Sequence, residues 1–187
     1  MNKIPLVDLK AQYHAYKQEF DEAIQACLEH TSFIGGPDHE AFTHEFAEFC
    51  GGGYVVPTAN GTDAITLALV ELLGQGNGSD EIITVSHTFI ATTEAISSAG
   101  YKPVMVDIDP HTYLMDVSKV EAAINPHTKA ILPVHLYGQM VDMQALMAVA
   151  QRYQLVVLED AAQAHGASFM GRSPGHWSGT ATFSFYP

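Results

Sequence analysis

Several things that would announce a specialised protein are missing from this chain. Its 187 residues include only two cysteines, Cys27 and Cys50, without C-x-x-C spacing. That excludes a disulfide framework and a zinc knuckle. Basic residues are scarce, 8 Lys and Arg against 21 Asp and Glu, for a net charge of −13. Such a surface repels phosphate backbones, so no nucleic-acid partner is expected. No apolar run approaches membrane-spanning length, and Met1-Asn2-Lys3-Ile4-Pro5 lacks the apolar core of a signal peptide. No membrane partner and a cytoplasmic location follow as expectations. The H-E-x-x-H metal spacing and the G-x-S-x-G nucleophile elbow are absent as well. Gly74-Gln75-Gly76-Asn77-Gly78 has the glycines of a dinucleotide loop, but a helical pattern precedes it and a strand pattern follows. A Rossmann fingerprint needs the reverse, so this stretch is read as a plain loop.

What is present is an apolar content of 47%, enough at this length to bury the core of one domain. Tyr13, Tyr16, Phe20, Ile24 and Cys27–Leu28 recur at steps of three and four and predict an amphipathic helix over residues 11–29. Pro37 suits the first turn of a second helix bearing Phe42, Phe46 and Phe49, which Gly51-Gly52-Gly53 ends. Tyr54–Pro57 is a short strand candidate, and Asn60-Gly61-Thr62-Asp63 opens a helix through Leu72.

Strands and helices then alternate. Strands are expected at Ile82–Ser86, Pro103–Ile108, Ala130–His135, Leu155–Leu158 and Thr180–Phe185. Helices are expected at Thr88–Ala99 (closed by Gly100), Ser118–Ile124 and from Asp142 to Tyr153. This order predicts an α/β fold, a mostly parallel sheet with helices on both faces. The last strand runs into Tyr186-Pro187 with no exit segment, which reads as a fragment.

The chain is organised around Leu155-Val156-Val157-Leu158-Glu159-Asp160-Ala161-Ala162-Gln163-Ala164-His165-Gly166. A buried strand ends in two carboxylates, where ligands sit in open α/β sheets. The small residues that follow leave room for a flat ligand around Asp160 and Gln163. Asn60-Gly61-Thr62, at a strand-to-helix junction, is a candidate phosphate site because helix-start N–H groups attract anions; the alternative is an ordinary N-cap. Phe89 suits either stacking on an aromatic ligand or the core. Ser184 fits a ligand-binding hydroxyl or a satisfied buried serine. His87, His135 and His165 lie near strand ends without metal-ligand spacing, so no metal is expected and ordinary hydrogen-bonded histidines are.

Five blocks then line up in order: Asn60-Gly61-Thr62-Asp63-Ala64, Thr88-Phe89, Pro133-Val134-His135-Leu136-Tyr137-Gly138-Gln139, Glu159 to Gly166, and Phe183-Ser184-Phe185-Tyr186-Pro187. Together they resemble the DegT/DnrJ/EryC1/StrS family of sugar aminotransferases, which use pyridoxal phosphate (PLP) on the fold-type I scaffold. The likeness starts at Ile4 and reaches the last residue. It implies that residues 1–187 are the N-terminal part of the large PLP-binding domain, with the small C-terminal domain absent. It further implies that Asp160 pairs with the pyridine nitrogen, Gln163 bonds the phenolic oxygen and Phe89 stacks on the ring. Gly61, Thr62 and Ser184 would hold the phosphate.

The expected activity is amino transfer from an amino-acid donor such as glutamate to a keto sugar carried on dTDP or UDP, in a protein that is a homodimer when full length. The family's Schiff-base lysine falls two residues beyond Pro187 by the same likeness, and none of Lys3, Lys10, Lys17, Lys102, Lys119 or Lys129 occupies that motif. This chain alone is therefore expected to be inactive. A dehydratase sibling with histidine in place of that lysine, and a non-catalytic binding or regulatory module on the same fold, are the alternatives; a Rossmann-type NAD enzyme is the fold-level competitor.

Overall fold

Strand β1, Glu81–Val85, is buried along four of its five residues, as a strand covered on both faces must be. A computed structural model describes residues 4–186 and places β1 inside a four-stranded parallel sheet. Its neighbours are β2 (Lys102–Val106) and β3 (Thr128–Ile131), and β4 (Val156–Val157) lies outside β3. The spatial order is therefore β2-β1-β3-β4. Helix α5 (Ala91–Ser98) carries the chain from β1 to β2, α6 (Val117–Ala123) from β2 to β3, and α7 (Met143–Tyr153) from β3 to β4. The first crossover runs one way along the sheet and the next two run the other way. Right-handed crossovers in opposite directions put their helices on opposite faces, so α5 covers one face and α6 and α7 the other. Helix α4 (Gly61–Leu73) packs beside α5, and α6 beside α7. The fold is α/β with helices on both faces, as the alternating pattern predicts.

The expected strand at 155–158 takes a more useful form. After β4 the chain passes Leu158, whose N–H bonds the carbonyl of Ile131, and continues as β5 (Glu159–Asp160). On one side Asp160 bridges Val134 in parallel; on the other β5 pairs with β6 (Ala181–Thr182). Both carboxylates thus lie within a strand flanked on two sides, rather than past its end.

Helix boundaries follow the local chemistry. Asn60, Asp116 and Asp142 cap α4, α6 and α7 through side-chain oxygens that accept from Asp63, Ser118 and Ala145 N–H. Gly100 takes φ 86° just past α5, where a side chain would be strained. It meets the Gly74–Gly78 stretch: Gly76 N–H bonds Ala99 O and Gly78 N–H bonds Gly100 O. That glycine run is a seam between two loops.

Three expectations need correcting. The helix over residues 11–29 is two, α1 (Leu9–Ala15) and α2 (Lys17–His30), bent at Tyr16 although i→i−4 bonds continue through Gln12 and Phe20; no residue there forces the bend. Tyr54–Pro57 is not a strand: the segment pairs with no neighbour, and Tyr54 and Val56 are exposed. The final strand shortens to Ala181–Thr182, since pairing with β5 ends at Asp160. Helix α3 (Pro37–Phe49) begins at the expected proline. None of α1, α2 or α3 contains a buried residue, while the sheet and its covering helices hold the core of Leu69, Ile82, Ile83, Ile96, Ile131, Leu132, Met143, Leu146 and Leu158. Among the described residues no helix is long and apolar enough to cross a membrane.

The glycine seam yields a stability prediction. A Cβ at Gly76 would stand 2.3 Å from Gly100 O and 2.9 Å from Tyr101 N, both backbone atoms that cannot step aside. Gly76→Ala is expected to destabilise the chain by about 1–3 kcal/mol through forced backbone shifts, whereas Gln75→Ala at the exposed neighbouring position is expected to change stability by no more than about 0.5 kcal/mol. Urea unfolding of the two variants checks it.

Candidate functional site

The chain reverses its direction of travel along the sheet between β1 and β3, and the crevice outside the carboxyl ends of those strands is where ligands settle in open α/β sheets. The turn Ser86–Ile90 leaves β1 there, and Leu132–His135 leaves β3 there. Asp160 closes the same end from the next strand position. Its N–H bonds Pro133 O, and its carbonyl accepts from His135 N–H at 2.9 Å.

Asp160 is 3% exposed. A carboxylate so buried needs donors. Oδ1 accepts from Ala162 N–H at 3.1 Å and Oδ2 from the Thr92 hydroxyl at 2.9 Å. Burial pushes the carboxyl above its ordinary range, and these two hydrogen bonds pull partly back.

Glu159, pointing the other way along the strand, is fully buried and satisfied within the protein. Its Oε1 accepts from Ser178 N–H at 3.2 Å and Ser178 Oγ at 2.7 Å, and its Oε2 lies 2.9 Å from His135 Nε2. His135 Nδ1 accepts from Val141 N–H at 3.2 Å, which assigns the ring proton to Nε2 and makes Nε2 the donor to Glu159. His135 is thus a hydrogen-bonded core histidine that ties β5 to the turn after β3.

That turn, Leu136–Gly138, holds Tyr137 at φ 58°, a left-handed conformation uncommon for a bulky side chain. The consequence is a backbone N–H aimed at Gln163, whose Oε1 accepts it at 3.0 Å. This fixes which way the amide faces: its oxygen is occupied and both Nε2 hydrogens remain to donate. The Tyr137 hydroxyl lies 3.3 Å from His87 Nε2.

The remaining candidates meet at the start of α4. Asn60 Oδ1 takes Asp63 N–H at 2.8 Å, leaving the first N–H groups of the helix, those of Gly61 and Thr62, outside both the helical ladder and the cap. The N-cap and the anion site are therefore compatible. Ser184 sits directly against Gly61, where a Cβ would lie 2.9 Å from Ser184 Cβ and 3.2 Å from its Oγ. Ser184 Oγ accepts from Tyr186 N–H at 3.3 Å and keeps its own proton to donate. A cleft of about 1060 Å³ lined by the 53–58 segment opens on this corner and includes Gly61 and Ser184 but not Asp160, Phe89 or Gln163.

Phe89 is 69% exposed, so its core reading falls. It lies in the turn before α5, and its carbonyl accepts from Thr92 N–H. His165 packs among Phe46, Phe183 and Phe185 at centroid distances of 5.1–6.1 Å, and burial lowers its pKa. Among the described residues no cluster of three metal-type ligands forms. Thr92 and Ser178 are the site's unforeseen members; Tyr137, His135 and Glu159 lie in the sequence blocks, and His135 is the hydrogen-bonded histidine expected of it, but their partners were not foreseen.

Residues 14–187 match the DegT/DnrJ/EryC1/StrS aminotransferase family. The chain belongs to that family. It is 45% identical over 184 residues to the UDP-2-acetamido-2-deoxy-3-oxo-D-glucuronate aminotransferase of Pseudomonas aeruginosa, covering 98% of this chain and 51% of that protein. Among solved structures, Streptomyces venezuelae DesV in complex with a ketimine intermediate superposes with a TM-score of 0.93 at 44% identity, over 100% of this chain and 50% of that one. NtdA of Bacillus subtilis with bound cofactor PMP gives 0.91 at 35% identity, over 100% and 42%. The chain spans about half the length of the curated relatives it matches.

The raised pKa of Asp160 has a sign that can be tested. The folded carboxyl holds its proton more tightly than the unfolded one, so this group's contribution is most favourable below pH 3.8, the unfolded value, and is lost as pH rises through the folded pKa. Asp160→Asn removes the cost of ionisation. In the ligand-free chain it is expected to melt higher than wild type at pH 7, with the gap closing towards pH 4. A lower melting temperature at pH 7 would contradict this account of the carboxylate.

Proposed function

We propose that this chain is the cofactor-binding half of a PLP-dependent aminotransferase acting on a keto sugar carried on dTDP or UDP. The observation that carries the reading is what remains after the protein has satisfied itself. Helix α4 and its cap leave two N–H donors, and Ser184 keeps one O–H beside them: a socket for phosphate oxygens at a positive helix end. Gln163 keeps its N–H donors for a phenolic oxygen. Asp160 has one donor on each oxygen and unused lone pairs to accept from a protonated ring nitrogen. Phe89, exposed at the same end, offers a face for the ring.

Phosphate, phenolic oxygen and pyridine nitrogen are the polar groups of PLP, so the donor set fits that cofactor. When bound, it supplies an electron sink for the carbanion formed as an amino group moves. The chain's own part is to anchor and to polarise. Gly61, Thr62 and Ser184 fix the phosphate end, and the Asp160 carboxylate holds a proton on the ring nitrogen by placing negative charge beside it. Gln163 orients the ring through its phenolic oxygen.

The substrate class rests on relatives named for UDP- and dTDP-linked sugars. Glutamate as amino donor, a homodimer for the whole protein and a cytoplasmic location complete the reading.

Pyridoxamine phosphate tests it, because it carries all three polar groups and binds without any lysine. Titration followed by ligand fluorescence is expected to show binding that Asp160→Ala and Ser184→Ala each weaken by about tenfold or more, the scale of a lost charge-assisted or phosphate hydrogen bond. Gly61→Ala should do the same by crowding Ser184. Wild-type affinity in the Asp160 and Ser184 variants would sink the assignment.

A further inference from the structure

We propose that Thr92 is a positioning residue that aims the Asp160 carboxylate at the cofactor's ring nitrogen, with Thr88 supporting it; the proposal rests on the PLP reading above. Thr92 is 1% exposed, in the first turn of α5. Its hydroxyl donates to Asp160 Oδ2 at 2.9 Å, 68 residues away in sequence. Thr88 Oγ1 lies 2.9 Å from Thr92 Oγ1. With its own hydrogen given to Asp160, Thr92 accepts from Thr88, so the order of donation is Thr88 to Thr92 to Asp160. Donation in series polarises each successive hydroxyl and strengthens the last bond.

Geometry explains why one hydroxyl matters. A carboxylate turns readily about its Cβ–Cγ bond, since that torsion is broad rather than confined to staggered wells. Ala162 N–H holds one oxygen and Thr92 the other. Two donors fix the plane of the group, and with it the direction of the lone pairs left for a ligand; one donor leaves it free to swing. Thr92 is itself stiff, being β-branched in a helix. Its N–H bonds Phe89 O at 3.2 Å, so the ring-stacking candidate and the group that aims Asp160 belong to one turn. A flat ligand is thereby registered on its face and at its nitrogen by the same element.

The test compares two probes. One is pyridoxamine phosphate; the other is its 1-deaza analogue, in which C–H replaces the ring nitrogen. A residue that acts through Asp160 affects only the first. Thr92→Val is expected to weaken pyridoxamine phosphate by about tenfold and the deaza analogue by less than about twofold, while Thr92→Ser keeps pyridoxamine phosphate within about threefold of wild type. Thr92→Ala repeats the comparison without a β-branched methyl if the valine variant fails to fold. Equal loss for both probes would make Thr92 a shaper of the turn only and overturn the proposal, as would unchanged affinity for pyridoxamine phosphate. Asp160→Ala is measured alongside. If it leaves the ratio of the two affinities at the wild-type value, the PLP reading of Asp160 fails; if it abolishes the ratio and Thr92→Val leaves the ratio at the wild-type value, the Thr92 proposal alone fails.

Discussion

A carboxylate held out of water at the end of a strand must be met by donors, and the way Asp160 is met shapes everything around it. One donor comes from its own chain two residues on, at Ala162, and the other from α5 on the far side of the β1 turn. The second draws α5 against β5 and sets where the Phe89 turn lies. Glu159 and Asp160 are neighbours with opposite fates. Glu159 is closed off by His135 and Ser178, with three donors on its two oxygens. Such a group is bound into the protein and offers nothing further. Asp160 keeps part of its capacity and bears a desolvation cost for it, as its raised pKa records. Carboxylates shifted in this way collect at sites that bind.

The charge of the molecule raises the opposite problem. With 21 acidic residues against 8 basic ones, the surface disfavours an approaching anion. Screening confines the effect of distant carboxylates to roughly 8–10 Å at ordinary ionic strength, and close dipoles decide what binds. The start of α4 presents N–H groups without spending a lysine, and Asn60 keeps Asp63 aligned by taking its N–H and by donating from Nδ2 to its carboxylate at 2.9 Å. That second bond draws the Asp63 charge towards the cap, and Gly61 and Thr62 remain to face an anion. An acidic protein can hold phosphate in this way because the binding is local.

Much of this was legible in local sequence and some was not, for a consistent reason. Caps at Asn60 and Asp142, the proline that starts α3 and the glycine after α5 depend on residues within four positions of each other, and the structure has them where the pattern puts them. Alternating apolar strands located β1 to β4 for the same reason. The misread pieces depend on distant partners. Tyr54–Pro57 has strand-like residues but no edge to pair with, and the last strand ends where β5 stops offering one. At the site, Asp160 and Gln163 sat in one recognisable block. Thr92 did not, because a threonine in a helix looks ordinary until a carboxylate 68 residues later meets it. His135 and Glu159 are separated by 24 residues and Glu159 and Ser178 by 19, with nothing in either spacing to suggest a shared hydrogen-bond network.

The recurring device is subtraction. Each candidate group begins with more hydrogen-bonding capacity than one ligand contact needs, and the protein removes the part that would be ambiguous. Gln163 could accept or donate; Tyr137, held in a left-handed turn, occupies the oxygen and leaves a donor. The start of α4 has several free N–H groups; Asn60 takes the third and leaves two beside Ser184. Ser184 could accept or donate; Tyr186 N–H takes a lone pair and leaves the proton. Asp160 could present its lone pairs in many directions; Thr92 and Ala162 take one from each oxygen and fix the plane of the rest. Specificity of this sort comes from penalising the wrong complement, since a ligand with a donor where Gln163 also donates would bury two unpaired groups at about 1–3 kcal/mol each. These neighbouring groups set which donors and acceptors are left to offer, and their placement depends on the parallel strands whose carboxyl ends lead to Thr92, Tyr137 and Asp160.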